Sequence, residues 1–177
     1  MKYIIETKRL KLRVMNDNDF DSLRAVISDK ETMKYYPKPY DDLGVRKWLE
    51  WCINLDKEKG FCLWAVTLDD KFIGDCGISI QNIDGKIVPE IGYHLNKNYW
   101  HQGYISEASK AVKKWFFENT NYDEVFSYMN AENKPSINIA TSNGMSFRKK
   151  YYEDGVLHYV YSITRDEYEK QEERTRK

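Results

Sequence analysis

The chain has 177 residues, enough for one domain with a substantial core. Lys plus Arg equals Asp plus Glu at 28 each, so the formal net charge is zero, which argues against a dedicated nucleic-acid binder. No apolar run approaches the roughly 18 residues of a membrane span, and the start "MKYIIETKRLKL" has charges where a signal peptide needs a long apolar run, so none is expected.

"RLKLRVM" (9–15) alternates Leu10, Leu12 and Val14 with Lys11 and Arg13, the pattern of a half-buried strand. Asn16 or Asp17 then caps a helix with Phe20, Leu23, Val26 and Ile27 on its apolar stripe. "YYPKPY" (35–40) holds two prolines and reads as a loop, placed over a pocket or serving as a packed surface connection. Asp41 or Asp42 opens a second helix, which buries Val45, Trp48, Leu49, Cys52 and Leu55 and stops at Gly60. "FCLWAVTL", "FIGDCGISI" and "IVPEIGYHL" follow as three strands joined by turns at 69–71 and 82–86, an antiparallel meander.

Residues 102–118 carry the strongest helical pattern. Ile105, Ala108, Val112, Trp115 and Phe116 face inward, with Glu107, Lys110, Lys113 and Lys114 expected toward water. "EVFSYMN" (124–130) is a strand, and Pro135 and Gly144 bracket a short helix over 134–143. "SFRKKYYEDGVLHYVYSIT" makes a hairpin about Asp154-Gly155 whose rings either complete the core or form a homodimer contact. "RDEYEKQEERTRK" reads as a short helix fraying into a tail, and the expected organisation is a single domain over 1–168 followed by a charged tail over 169–177. The plan is α+β: a mixed, mostly antiparallel twisted sheet of about seven strands, with about four helices on both faces.

Cys52, Cys62 and Cys76 show no C-x-x-C spacing and read as reduced thiols of a cytoplasmic protein. His94, His101 and His158 show no paired spacing, so no metal site is expected.

Three segments carry a family resemblance: "EIGYHL" (90–95), "YWHQGYISEA" (99–108) and "NKPSINIATSNGM" (133–145). Their order, spacing and flanking elements resemble the GNAT acetyltransferases, in the branch that acetylates ribosomal-protein N-termini. The resemblance covers essentially residues 8–165 and implies an N-acetyltransferase that uses acetyl-CoA without a metal. Its partner would be a primary amine, on a protein N-terminus or on a small molecule such as a polyamine-like metabolite or an aminoglycoside-type antibiotic. Nucleic acid and membrane are not expected partners. A non-catalytic acyl-CoA sensor on the same fold is the alternative.

Residue by residue, the resemblance implies that backbone amides around Gln102, Gly103, Tyr104, Ile105 and Ser106 cradle the CoA pyrophosphate at a helix N-terminus. Backbone groups near Gly92, Tyr93, His94 and Leu95 would bond the pantetheine arm and the thioester oxygen, where a neighbouring strand splays away. Asn133, Ser136 and, more weakly, Asn138 would add polar contacts. Glu90 is the implied base, drawing the amine proton through water; strand alternation places it on one face with Gly92 and His94. His94 has an intrinsic pKa suited to proton relay, with a packed histidine as the ordinary alternative. The chain departs from the family pattern twice. Ile105 replaces a small residue, so its side chain either displaces the phosphates or turns into the core. Ala140 stands where many members keep a Tyr that protonates the thiolate, leaving Tyr151, Tyr152 or solvent as substitutes.

Overall fold

The computed structural model describes residues 2–176. Its centre is one sheet of eight strands in the order β1-β2-β3-β4-β5-β6-β8-β7. These are β1 (Ile5–Glu6), β2 (Lys11–Arg13), β3 (Leu63–Leu68), β4 (Lys71–Ile83), β5 (Lys86–Leu95), β6 (Glu124–Asn130), β7 (Ser146–Glu153) and β8 (Val156–Thr164). The five α-helices are α1 (Phe20–Ile27), α2 (Asp42–Lys59), α3 (Tyr104–Asn119), α4 (Lys134–Ser142) and α5 (Arg165–Thr175). Every neighbouring pair is antiparallel except β5 and β6.

Local chemistry explains the boundaries. Asn16 caps a short 3-10 turn that runs into α1, and the Asp41 side chain accepts the Gly44 amide at the start of α2. Gly60 closes α2 at φ +75°, the left-handed conformation a C-terminal glycine tolerates. Asp84 and Gly85 both take positive φ between β4 and β5, the two-residue turn that matches the twist of its strands. The meander and helices bury one continuous core, in which Trp64, Phe116, Leu12, Leu23, Leu49 and Ile91 are almost wholly enclosed.

One expectation needs correction. Lys113 does not point to water: it is buried, its Nζ donates to the Asn143 carbonyl at 2.6 Å, and it lies 5.5 Å from the Tyr168 ring centre. The carbonyl it satisfies is one that α4 leaves open at its C-terminus, so the apolar stem packs while the ammonium caps. Lys113→Met keeps the stem and removes the donor; we expect a loss of about 1–3 kcal/mol, measurable by urea unfolding. The last charged residues form the short helix read there, α5, which runs to Thr175, and Gln171 Nε2 donates to the Gly144 carbonyl at 2.9 Å.

Candidate active site

β5 builds the site. It pairs with β4 along its whole length, from Ile83↔Lys86 to Gly74↔Leu95. On its other side it meets β6 in parallel at a single position, Glu90↔Phe126. Beyond Glu90 the two strands part, and the outer-edge backbone of residues 92–95 has no strand partner. Unpaired strand groups invite an extended ligand, because a buried N–H or C=O without a partner is costly. The Leu95 carbonyl is already engaged, accepting from Trp100 Nε1 at 2.9 Å.

Two cavities meet across this parting. The larger, about 610 Å³, lies over Glu90, Gly92 and His94 beneath the rings of Tyr36, Tyr40, Trp48 and Tyr128. The second, about 410 Å³, is a wedge between α3 and α4. Tyr36, Tyr93, His94, Asn133 and Ser136 border both. The 35–40 loop therefore does lie over a pocket.

The wedge collects most of the residues expected from the turn. Gly103 is the N-cap of α3 at φ +76°, a conformation that favours glycine, and Tyr104, Ile105 and Ser106 follow in the first turn. Their amides precede the first intrahelical donor, the Glu107 N–H, which bonds the Gly103 carbonyl at 3.0 Å, so the helix presents unpaired donors there. Ile105 is 8% exposed and still borders the wedge, so its branched side chain packs at the wall of that cavity. Leu95, Tyr93, Asn133, Ser136 and Asn138 line the same wedge. Asn133 caps α4 by accepting the Ser136 amide at 3.2 Å, and Tyr93 Oη donates to the Ser136 carbonyl at 3.4 Å.

Gln102 is the exception. It is not among the residues bordering either cavity, and its carbonyl accepts from Arg9 Nη1 at 2.9 Å. Arg9 braces the whole turn: its Nε meets Glu107 Oε2 at 2.6 Å and its guanidinium lies 4.5 Å from the Tyr104 ring centre. Thr7 Oγ1 also donates to Glu107, at 2.6 Å. Partial burial works against ionised Glu107, but Thr7 and Arg9 outweigh it and hold the carboxyl below its usual range. No local signal in the sequence joins Arg9 to a turn more than ninety residues away.

In the larger cavity the alternation of β5 is unbroken. Ser79 lies opposite Glu90, Gly77 opposite Gly92 and Asp75 opposite His94. Glu90 is 9% exposed, and its Oε2 accepts from Ser79 Oγ at 3.0 Å. Burial raises its pKa to about 7, against the opposing pull of Ser79, His94 and the Tyr128 backbone. A carboxyl in that range can exchange a proton at neutral pH. Asp75 is fully buried and accepts both the His94 amide, at 2.8 Å, and His94 Nδ1, at 2.9 Å. The imidazole lies against Tyr36 and Trp48, with ring centres 5.4 and 5.5 Å away.

The proposed substitutes for the missing tyrosine are not in place. Ala140 is in the core, while Tyr151 stacks on His158 and borders neither cavity. Tyr152 is 71% exposed on the outside of the hairpin. The hydroxyl-bearing rings that border the larger cavity are Tyr35, Tyr36, Tyr40, Tyr93 and Tyr128. For the hairpin itself the outcome is divided: Tyr151 joins a small satellite core with Ile83 and Val160, while Phe147, Tyr152 and Val156 stay exposed. Among the described residues no helix is long and apolar enough to cross a membrane.

Comparison with known proteins agrees with this geometry. Residues 9–146 match the family described as acetyltransferase (GNAT) domain. The chain is 33% identical to the Bacillus subtilis protein YkkB, over 81% of this chain and 85% of that one. It is 31% identical to an N-acetyltransferase of Bacillus licheniformis, p20, over 92% and 96%. Among solved structures, a GNAT-family acetyltransferase from Bacillus anthracis superposes with a TM-score of 0.78 at 23% identity, covering 92% of this chain and 98% of that one. RimL, a ribosomal L7/L12 alpha-N-protein acetyltransferase in complex with coenzyme A, gives 0.77 at 18% identity, covering 94% and 99%. The mostly antiparallel sheet, the single parallel step at which it opens and the family match lead to one conclusion: this chain belongs to the GNAT acetyltransferase family.

Proposed function

We propose that the protein moves an acetyl group from acetyl-CoA to a primary amine, by direct attack with both substrates bound. The observation that carries this reading is Glu90: a buried carboxyl raised to about 7, at the point where β5 and β6 part and in the larger of two cavities that meet. In this reading the wedge takes acetyl-CoA, which supplies the activated thioester. The amides of Tyr104, Ile105 and Ser106 hold phosphate oxygens. Gly103 keeps the backbone open to them, while Tyr93, His94, Leu95, Asn133, Ser136 and Asn138 border the arm. The residues present suit such a ligand, because donors at a helix N-terminus lead directly to an unpaired strand edge. Glu90 takes the amine proton as the nitrogen attacks. That RimL is described with coenzyme A on the same fold supports the assignment of the wedge.

The larger cavity takes the amine. Its ionisable border is Glu90, Glu153, Asp154, Lys34 and two histidines, a net acidic lining beneath aromatic rings. That suits an ammonium group at the end of a peptide or a small molecule. We place the protein in the cytoplasm, where Cys52, Cys62 and Cys76, all free and buried, stay reduced.

Calorimetry with acetyl-CoA and then with dephospho-CoA tests the wedge. Thiol release in the presence of a Ser-initiated tetrapeptide or spermidine tests the acceptor side. Absence of acetyl-CoA binding by folded protein would sink the reading. Gly103→Val places a β-branched residue at φ +76° and sets its Cβ about where Arg9 Nη2 is 3.5 Å away. We expect acetyl-CoA affinity to fall by about tenfold or more, with the melting temperature changed by only a few degrees.

A further inference from the structure

The acetyl-transfer reading leaves one proton unassigned. When the C–S bond breaks, the sulfur keeps the electron pair and needs a proton, and the position from which α4 commonly supplies it is Ala140, inside the core. We propose that His94, held by Asp75, donates that proton to the departing thiolate; the proposal rests on the acetyl-transfer reading above.

Position is the first argument. Glu90 borders only the larger cavity, whereas His94 borders both. If the amine enters one cavity and the thioester arm the other, the C–S bond lies at the junction and the base lies on the amine side. A division of labour along one strand follows, with base and acid four residues apart on the same face and only Gly92 between them.

Hydrogen bonding is the second. His94 is 7% exposed, its Nδ1 and backbone amide are both taken by Asp75, and its Nε2 is buried without a partner. An imidazole oriented by a fully buried carboxylate, with its far nitrogen unengaged, is arranged to exchange a proton with whatever occupies the junction. Leaving that nitrogen unpaired costs stability, and such orphans persist at working sites. The Tyr36 ring lies on the imidazole, so the proposal requires this ring, carried on the 35–40 loop, to turn aside when the cleft fills.

Charge is the third. Asp75 faces His94 from β4, Glu90 from β5, and Tyr36 from the loop; Lys34 borders the same cavities. α2 contributes Trp48, which does not ionise, and the α4 side contributes Asn133 and Ser136, also uncharged. Burial opposes the imidazolium, but Asp75 and then Glu90 outweigh it and hold His94 above the usual histidine value. Asp75 and Glu90 thus favour the imidazolium, the form in which Nε2 carries a proton.

The step balances. The acceptor enters as an ammonium and gives one proton to solvent; the free amine nitrogen then forms a bond to the carbonyl carbon and gives its second proton to Glu90. The tetrahedral centre collapses, the C–S pair goes to sulfur, and Nε2–H gives sulfur its proton. Neutral His94 then recovers a proton, and Glu90 releases one, through solvent. The products are the N-acetyl amine and free thiol.

The test uses the full chain with acetyl-CoA and whichever of the Ser-initiated tetrapeptide and spermidine the wild type turns over. Wild-type kcat should decline on the alkaline side as His94 loses its proton. In His94→Gln we expect kcat to fall about 100-fold and the alkaline decline to disappear, with acetyl-CoA affinity by calorimetry within about threefold of wild type. Asp75→Asn removes the charge that sustains the imidazolium, so its alkaline decline should begin at lower pH; this second variant carries the test if His94→Gln does not fold. The proposal is overturned if His94→Gln keeps kcat within twofold of wild type. It is equally overturned if the variant loses the acid-side decline instead, because His94 would then be a base. A wild type that binds acetyl-CoA but acetylates neither amine overturns the acetyl-transfer reading and this proposal with it. A wild type whose activity survives in His94→Gln overturns this proposal alone.

Discussion

Glu90→Gln is expected to lower kcat by about 10²–10⁴-fold while leaving acetyl-CoA affinity nearly unchanged. The amide is close in shape and keeps an oxygen for the Ser79 hydroxyl at 3.0 Å, but it cannot accept the amine proton. The wild-type pH profile should carry the same signature. Burial places the carboxyl at about 7, so kcat should decline as pH falls through that region and Glu90 becomes protonated before the amine arrives. The variant should lack that limb. Steady-state rates across pH 5–9, with calorimetry at one pH, would check both; a variant with wild-type kcat would remove Glu90 from the mechanism and revive the acyl-CoA sensor reading.

The same substitution should stabilise the fold above neutral pH. The Glu90 pKa is raised from the ordinary 4.5 to about 7, so the folded state resists ionisation that the unfolded chain accepts freely. The favourable contribution is complete below the unfolded value and is lost as pH rises through the folded one. At pH 8 the wild type bears the full cost of an ionised buried carboxylate, on the order of 3 kcal/mol. Glu90→Gln is neutral throughout and should gain part of that. Chemical denaturation of both proteins at pH 5 and pH 8 would show a gap that opens only at the higher pH.

The largest loss of stability should come from Gly77→Ala. A Cβ at Gly77 would sit 1.8 Å from the Cys62 carbonyl oxygen and 2.8 Å from both the Cys62 carbonyl carbon and Leu63 Cα. These are backbone atoms of the segment entering β3, and they cannot rotate aside as a side-chain tip would. Relief requires β3 and β4 to separate where the Ile78 amide bonds the Cys62 carbonyl at 3.0 Å. We expect a loss of about 4 kcal/mol or more, since the strain falls on two strands of the core. A melting temperature within a few degrees of wild type would refute this. Gly74 is a milder case of the same design, with its missing side chain only 2.2 Å from the His94 carbonyl oxygen.

Much of this fold was legible because its elements carry their own punctuation. β6 was read over 124–130 and is found there, since Val125, Ser127 and Met129 alternate cleanly inward. The Asp154-Gly155 and Asp84-Gly85 turns, the Asp41 cap and the Gly60 and Gly144 stops are all signalled locally. β1 was not, because two residues have no period. Lys113 was misread because its partner, the Asn143 carbonyl, lies thirty residues on and belongs to another helix. Asp75 went unnoticed inside an apolar strand. Its role was nonetheless within reach: a two-residue turn at Asp84-Gly85 fixes the pairing Ile83↔Lys86, and counting outward sets Ser79 against Glu90 and Asp75 against His94. Arg9 and Tyr36 were beyond such reasoning, since only tertiary packing brings them to the site.

The single β5–β6 pairing at Glu90↔Phe126 also has a mechanical meaning. β1 to β5 form one plate and β6 to β8 another, touching in the sheet at one point. Plates joined this way can rock like the covers of a book, and the hinge of a book moves least. Glu90 sits at that hinge. In the acetyl-transfer reading proposed above, a carboxyl at that hinge would keep its place while the open edge adjusts to acceptors of different girth.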